Sequence, residues 1–202
     1  MSLDAAALCE PLSVGIWSNQ KAGTGPGSRV LIAGAGPIGI VAAQVAAAFG
    51  ATEVIVSDPV AERREQAVRF GATRVIDPMT EDIASLGLEV DAFIDASGAG
   101  PAVRDGIHAV APAGRVVLVG MGADEVSLPV SLIQNREIVL TGVFRYANTW
   151  PLAIELAASG RVDLDALVTG AFGLGAVEQA LHAAGATTTL KAVVRPGGQS
   201  DD

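Results

Sequence analysis

The apolar positions of residues 29–58, RVLIAGAGPIGIVAAQVAAAFGATEVIVSD, fall in three blocks separated by glycine. Residues 30–33 are four apolar side chains in a row, without the alternation of a half-solvated strand. They predict a strand covered on both faces, as the strands of parallel sheets are. The block IGIVAAQVAAAF is long enough for a helix that stops at Gly50, and residues 54–56 predict the next buried strand. Downstream, residues 59–70 predict a helix with Pro59 near its start, Val60, Ala67, Val68 and Phe70 facing inward, and Gly71 as its C-cap. Residues 74–77 predict a short strand and 80–86 a weak helix. A fourth strand is predicted at 90–97, closed by Gly98, then a helix at 100–111, a fifth strand at 115–120 and a sixth at 137–144. Strands and helices alternating over short connections give right-handed crossovers and an open, doubly wound α/β sheet.

The two ends of the chain read differently. Residues 4–20 predict a helix that is apolar on one side, with Pro11 forcing a start or a kink, and residues 22–28 form a glycine-rich loop into the first strand. From Asn148 onward a helix opened by Trp150 and Pro151 ends near Gly160. A strand at 167–172, an amphipathic helix at 175–185 and a last strand at 190–195 follow. Two strands and two helices are too few for an independent core, so this segment has to lean on the sheet or on another body of protein. The polar tail GGQSDD carries no predicted element.

The glycines between the first strand and its helix fall in the spacing G-x-G-x-x-G at Gly34, Gly36 and Gly39. The first permits a tight turn, the second lets a pyrophosphate approach the backbone, and the third lets helix and strand pack closely. Pro37 suits the first helical turn, where its missing N–H has no partner to lose. The unpaired N–H groups and positive dipole end of that helix then face the phosphate site. About twenty residues beyond the glycines the next strand delivers Asp58, a carboxylate placed to accept both hydroxyls of an adenosine ribose. Strand before, helix after, glycine spacing and terminal acid coincide, so the stretch predicts a Rossmann-type site for NAD. Ligands of such sheets sit outside the carboxyl ends of the strands, where Asp58, residues 96–98, 119–122 and 144–146 are expected to converge.

Composition narrows the function classes. Half of the 202 residues are apolar and only 17% are charged, with a net charge of −9, which disfavours nucleic acid or an anionic membrane as partner. The one cysteine, Cys9, makes no internal disulfide and no cysteine-rich zinc site, and it fits a reducing cytoplasm. No apolar run reaches the roughly 20 residues that span a bilayer. His108 and His182 lie in helical segments without a second histidine or cysteine at ligand spacing, so both read as packing or surface residues. Arg63 reads by itself as a solvated helix charge. Glu10 beside Pro11 reads as an acid near a helix N-terminus, favoured by the dipole.

The segments AALCEPLSVGIW, VLIAGAGPIGIVAAQVAAAFGA, VIVSDPVAERREQAVRFGAT, GRVVLVGMG and GVFRYANTWPLAIELAASGRVDL resemble successive segments of zinc-type medium-chain dehydrogenases, most closely the polyol dehydrogenases. The resemblance covers nearly all of residues 4–195, and FRYANTWP is the part that points to the polyol branch. It implies three parts: residues 1–28 as a connecting helix and loop, 29–147 as the NAD-binding domain, and 148–202 as a segment that belongs with a GroES-like catalytic domain absent from this sequence. It implies that Gly34, Gly36, Pro37, Ile38 and Gly39 hold the pyrophosphate, Asp58 the ribose, and Arg63 the edge of the adenosine pocket. Val119, Gly120 and Met121 would line the nicotinamide side, with Val143, Phe144 and Arg145 closing over it. Arg145 and Tyr146 would meet the hydroxyls of a polyol, and Glu10 would lie at or beside the catalytic zinc. A catalytic zinc needs about three protein ligands. Glu10 offers at most one, so zinc is expected only in a complete enzyme.

Two readings remain open at this stage. One is the cofactor-binding part of a zinc-dependent polyol or alcohol dehydrogenase, whose complete form moves a hydride from a secondary alcohol to NAD. The other is a non-catalytic NAD(H)-binding module. A zinc-free reductase using NADPH is disfavoured by Asp58, since such enzymes carry an arginine and no acid at that point. The sixth strand predicts an open apolar edge, and with the resemblance it implies a homodimer or homotetramer with Ile138, Leu140 and Val143 near the contact.

Overall fold

The computed structural model describes residues 1–197, so residues 198–202 of the polar tail lie outside the described residues. The first strand, β1 (Arg29–Ala33), sends Val30 and Ile32 into one core and Leu31 and Ala33 into the other. The division repeats along the sheet. Val54 and Val56 oppose Ile55 in β2 (Glu53–Ser57), Ala92 and Ile94 oppose Phe93 in β4 (Val90–Asp95), and Val117 opposes Val116 in β5 (Val110–Leu118). Both faces are covered, which is why these strands read as unbroken apolar runs. With β3 (Arg74–Ile76) and β6 (Val139–Gly142) they form a six-stranded parallel sheet in the order β3-β2-β1-β4-β5-β6. The strand order reverses between β1 and β4, where a doubly wound sheet opens a crevice.

On one face α1 (Leu3–Ala22) packs against α2 (Pro37–Ala48) and α6 (Trp150–Ala158). The helix is buried on more than one side, where an apolar single side was expected, and it starts at Leu3 and continues through Pro11 instead of starting there. An internal proline costs a helix about 3 kcal/mol, and burial against two neighbours offsets it. A Cβ on Gly15 would stand 3.0 Å from the backbone of Val41. Nearby, Asn19 Nδ2 donates to the carbonyls of Gly15 at 2.9 Å and Ala42 at 3.0 Å. Cys9 is buried in this core, its thiol pushed up by burial, as suits a small packing residue. Glu10 is exposed on the middle of α1. The first-turn acid is Asp4, and the N-cap is Ser2, whose hydroxyl accepts from Ala5 N at 2.9 Å.

The opposite face is covered by α4 (Gly100–His108) and α5 (Val130–Asn135), while α3 (Ala61–Arg69) follows β2. In and beside α3, Ala67 and Phe70 are buried as expected, but Val68 is 54% exposed. The expected helix at 80–86 shrinks to one 3-10 turn, Ile83–Ser85, capped by Asp82. The fifth strand starts at Val110, before its expected start, and its register with β4 shifts between Val90 and Ala92. His108 and His182 are both surface residues.

The C-terminal segment leans on the sheet domain. β7 (Val168–Gly173) and β8 (Lys191–Arg195) pair in parallel as a separate two-stranded sheet, with α7 (Val177–Ala184) against both. Leu156, Val162, Leu164, Leu167 and Leu190 enter the same core as α1 and α2. Gln44 of α2 seals this junction: its Nε2 donates to Asp163 O at 3.3 Å, and Asp163 N donates to its Oε1 at 2.7 Å. Leu174 and Leu181 remain 61% and 71% exposed, so the outer side of the segment is still uncovered. No helix among the described residues is long and apolar enough to cross a membrane.

Candidate functional site: a dinucleotide crevice

The chain leaves β1 through a left-handed residue, Gly34 with φ +96°, whose N–H donates to Ser57 O at 2.7 Å. Gly36 is the N-cap of α2, Pro37 stands in the first turn, and no side chain caps the helix. The first N–H groups of α2 therefore have no intrahelical partner and remain available to an anion. Gly39 sits over the turn so closely that a Cβ would lie 1.8 Å from Gly34 O, whereas a Cβ on Gly36 would meet nothing within 4 Å. The three glycines thus do different work. Gly34 makes the turn, Gly39 closes helix on strand, and Gly36 leaves open space at the helix end.

Asp58 follows β2 and is 3% exposed. Its Oδ2 accepts from Ala35 N, inside the glycine turn, and its Oδ1 accepts from Val60 N, both at 2.8 Å. A carboxylate offers about four lone-pair positions, so two acceptor positions remain after these bonds. Asp58, Gly34, Gly36 and Arg63 line one cavity of about 420 Å³ together with Ala96, Ser97 and Asp105. The glycine turn, the buried acid and this hollow fit the ribose and phosphate end of a dinucleotide.

On the other side of β1 the ends of β4 and β5 interlock. Asp95 O accepts from Val119 N and Gly120 N, both at 2.9 Å. Val119 is half-buried and packs against the core. Met121 and Phe144 are 90% and 81% exposed. Arg145 lies 5.7 Å over the Phe144 ring, and Tyr146 meets Trp150 edge to face at 5.9 Å. Arg145 and Asn148 hold φ of 61° and 56°, a region that costs a side-chain-bearing residue roughly 1–2 kcal/mol, so this loop stores strain. The structure brings Gly34, Gly36, Asp58 and Arg63 to one cavity. Glu10, Arg145 and Tyr146 are not among the residues lining it. Among the described residues no group of three His, Cys, Asp or Glu side chains could hold a metal ion.

Sequence reasoning passed over Arg64, Asp95 and Asp105. Arg64 Nη1 donates to Asp58 O at 2.6 Å and its Nη2 pairs with Asp77 at 2.9 Å, fixing the backbone that carries the acid. Its neighbour Arg63 drew attention only through resemblance. Asp95 carried a local signal, an aspartate two residues before a Ser-Gly turn, which is how such side chains fold turns.

The chain is 39% identical to mouse (Mus musculus) sorbitol dehydrogenase over 203 residues, an alignment covering 96% of this chain and 57% of the relative. It superposes on 2R,3R-butanediol dehydrogenase from Bacillus subtilis with a TM-score of 0.91 and 26% identity, covering 98% of this chain and 59% of the other. A zinc-binding dehydrogenase from Sinorhizobium meliloti 1021 bound to NADP superposes with a TM-score of 0.89 and 28% identity, covering 95% and 59%. The chain thus spans little more than half the length of these proteins. The zinc-binding dehydrogenase family matches residues 37–159, from the first turn of α2 to the C-cap of α6; the crevice lining from Ser57 to Asp105 lies inside that stretch, and Ala33, Gly34 and Gly36 lie just before it. By that match, with the doubly wound sheet and its glycine turn, the chain belongs to the zinc-binding dehydrogenase family.

Proposed function

We propose that this chain is the NAD-binding portion of an oxidoreductase that transfers a hydride between a secondary alcohol of a polyol and the nicotinamide. The observation that carries the cofactor is Asp58, a buried carboxylate tied by Ala35 N–H to the glycine turn and open to the cavity. The Sinorhizobium neighbour holds NADP, so the fold alone does not decide between the cofactors. A carboxylate beside a 2′-phosphate repels it, and in a partly buried site two like charges about 4 Å apart cost on the order of 4 kcal/mol. NAD, when bound, supplies the hydride acceptor. The chain's own groups bind and orient it: the first turn of α2, with Pro37 and Ile38, meets the pyrophosphate, Asp58 accepts the ribose hydroxyls, and Arg63 flanks the adenosine. Val119, Gly120 and Met121 flank the nicotinamide with Val143, Phe144 and Arg145.

The sorbitol and butanediol dehydrogenases among its relatives favour a small-molecule substrate of adjacent hydroxyls. Arg145 and Tyr146 supply the guanidinium and phenol donors that such hydroxyls accept from. The described residues do not assemble a zinc site, so we assign any zinc to residues outside this chain, with Glu10 as its neighbour at most. Residues 148–202 belong in this reading with a catalytic domain, which their uncovered outer side would meet, while residues 1–28 connect the two bodies. The single cysteine supports a cytoplasmic location.

The cofactor reading is tested by titrating the chain with NADH and NADPH and following nucleotide fluorescence. NADH is expected to bind at least about tenfold more tightly, a difference of about 1.4 kcal/mol, and Asp58→Ala is expected to erase most of the preference. Equal affinities, or tighter NADPH, would sink the NAD assignment.

For assembly we propose a homodimer or homotetramer formed through β6, which is one of the two edge strands of the sheet. Ile138 is 7% exposed in the chain's own core, and Val143 is half-buried against the other core. Leu140 is half-buried, whereas Val139 is 48% exposed. Val139→Lys is therefore the cleaner probe, because it charges the edge without filling the core. Sedimentation should show the wild-type chain as a dimer or larger and the variant shifted towards monomer. A wild-type chain that stays monomeric at high micromolar concentration would refute this assembly.

A further inference from the structure

The Asp95 side chain is 1% exposed. Its Oδ1 accepts from Ser97 N at 3.0 Å and from the Ser97 hydroxyl at 2.6 Å, and its Oδ2 accepts from Gly98 N at 3.1 Å. Ser97 Oγ in turn accepts from Ala99 N at 3.1 Å. Burying an ionised carboxylate is expensive unless its lone pairs are met. Here they are met by the N–H groups of one turn, which the carboxylate therefore fixes. The same residue's carbonyl holds Val119 and Gly120, so one aspartate anchors the exits of both β4 and β5.

Those two exits are in contact at distances that leave no slack. A Cβ on Gly120 would lie 2.2 Å from Gly98 N, one on Gly122 would lie 1.8 Å from Gly98 O, and one on Gly98 would lie 2.6 Å from Met121 O. Any shift of the Ser97–Gly98 turn is passed directly to residues 120–122. With the ribose acid on β2 and the strand order reversing between β1 and β4, a dinucleotide crossing the glycine turn lays its second nucleotide over β4 and β5. Both backbone walls of that half are set by Asp95, while Asp58 sets the first half.

We propose that Asp95 is the positioning residue for the nicotinamide half of the crevice, acting through the Ser97–Gly98 turn on residues 119–122; this rests on the dinucleotide reading above. The isosteric change Asp95→Asn keeps one acceptor oxygen but turns an N–H donor towards an N–H that needs an acceptor. Ser97→Ala removes only the hydroxyl that links the carboxylate to Ala99.

The test compares NADH with adenosine monophosphate, which fills the adenosine half alone, by calorimetric titration of the wild-type chain and both variants. Thermal melting identifies any variant that does not fold. Asp95→Asn is expected to weaken NADH about tenfold and adenosine monophosphate by less than about threefold, and Ser97→Ala to weaken NADH about threefold and the monophosphate, whose cavity Ser97 also lines, by less than about twofold. If Asp95→Asn does not fold, Ser97→Ala decides by the same split. NADH binding that survives in the folded variants overturns the proposal, and so does a parallel loss of both ligands. A wild-type chain that binds neither ligand overturns the dinucleotide reading and this proposal with it, whereas wild-type binding of both followed by either variant result above overturns this proposal alone.

Discussion

Gly39→Ala is expected to lower the melting temperature by roughly 10 °C and to abolish NADH binding. The added methyl would lie 1.8 Å from Gly34 O and 2.9 Å from Gly34 C, both backbone atoms that cannot swing aside as a side chain does. Reaching an ordinary contact distance requires α2 to lift off β1 by more than about 1 Å. That movement is blocked from behind, because Gly15 of α1 already stands 3.0 Å, measured from its would-be Cβ, against Val41 of α2. Lifting α2 would also pull Gln44 from Asp163 and so loosen the C-terminal segment. Overpacking of this kind costs about 3 kcal/mol or more, and each kcal/mol shifts the midpoint of a chain this size by about 2–4 °C. Circular dichroism melting of the two chains side by side decides it. A melting temperature within about 2 °C of wild type would show that the close approach is not needed for stability.

The features that bear on this result were legible because they rest on short-range rules. Residues 30–33 predicted a doubly buried strand from their unbroken apolar run, and the structure divides their side chains between two cores. The glycine spacing predicted a turn, an open approach and a close contact, and the cavity-lining Gly36 and the crowded Gly39 differ in just that way. What escaped was set by long-range packing. α5 (Val130–Asn135) has six residues, none of them buried, so it carries no periodic pattern. The continuity of α1 through Pro11 depends on α2 and α6, and neither is visible from residues 4–20. Val68 was placed inward by its apolarity, but a helix of nine residues lying across the sheet edge buries only Ala67 from its own span.

The site divides along the same line. Asp58 and the glycines are a local motif and could be read directly. Arg64 could not, because nothing in AERREQAVR separates an arginine that reaches Asp58 O from one that lines the cavity as Arg63 does. Asp105 lines the crevice from α4 and Asp95 holds the Ser97–Gly98 turn at the end of β4, both on elements that the chain visits later. The chemistry expected of Glu10, Arg145 and Tyr146 came from resemblance; Glu10 is an exposed residue of the otherwise buried α1, Arg145 and Tyr146 lie in the loop at 144–148, and none of the three lines the cavity.

Gly36→Ala is expected to separate binding from stability, which Gly39→Ala loses together: to leave the fold intact and remove about hundredfold of the affinity for NADH. The backbone of Gly36 is extended, with φ −74° and ψ −177°, which any residue adopts without strain. A Cβ there would meet nothing within 4 Å, so the chain itself offers no objection to the methyl. Removing a glycine from a compatible position even lowers the entropy of the unfolded chain, by about 0.4–1 kcal/mol, so melting should be unchanged or slightly raised. The empty space is nevertheless where a pyrophosphate must come to reach the unpaired N–H groups of α2. A methyl group of about 2 Å radius holds the phosphate off, and the lost charge-assisted hydrogen bonds, each worth about 1.5–3 kcal/mol, correspond to a hundredfold or more in affinity. Fluorescence titration with NADH, run beside a melting curve, reads both quantities on one sample. Wild-type affinity in a folded Gly36→Ala chain would mean that the dinucleotide does not pass over this turn, and Asp58 would then need another explanation for its place at the mouth of the cavity.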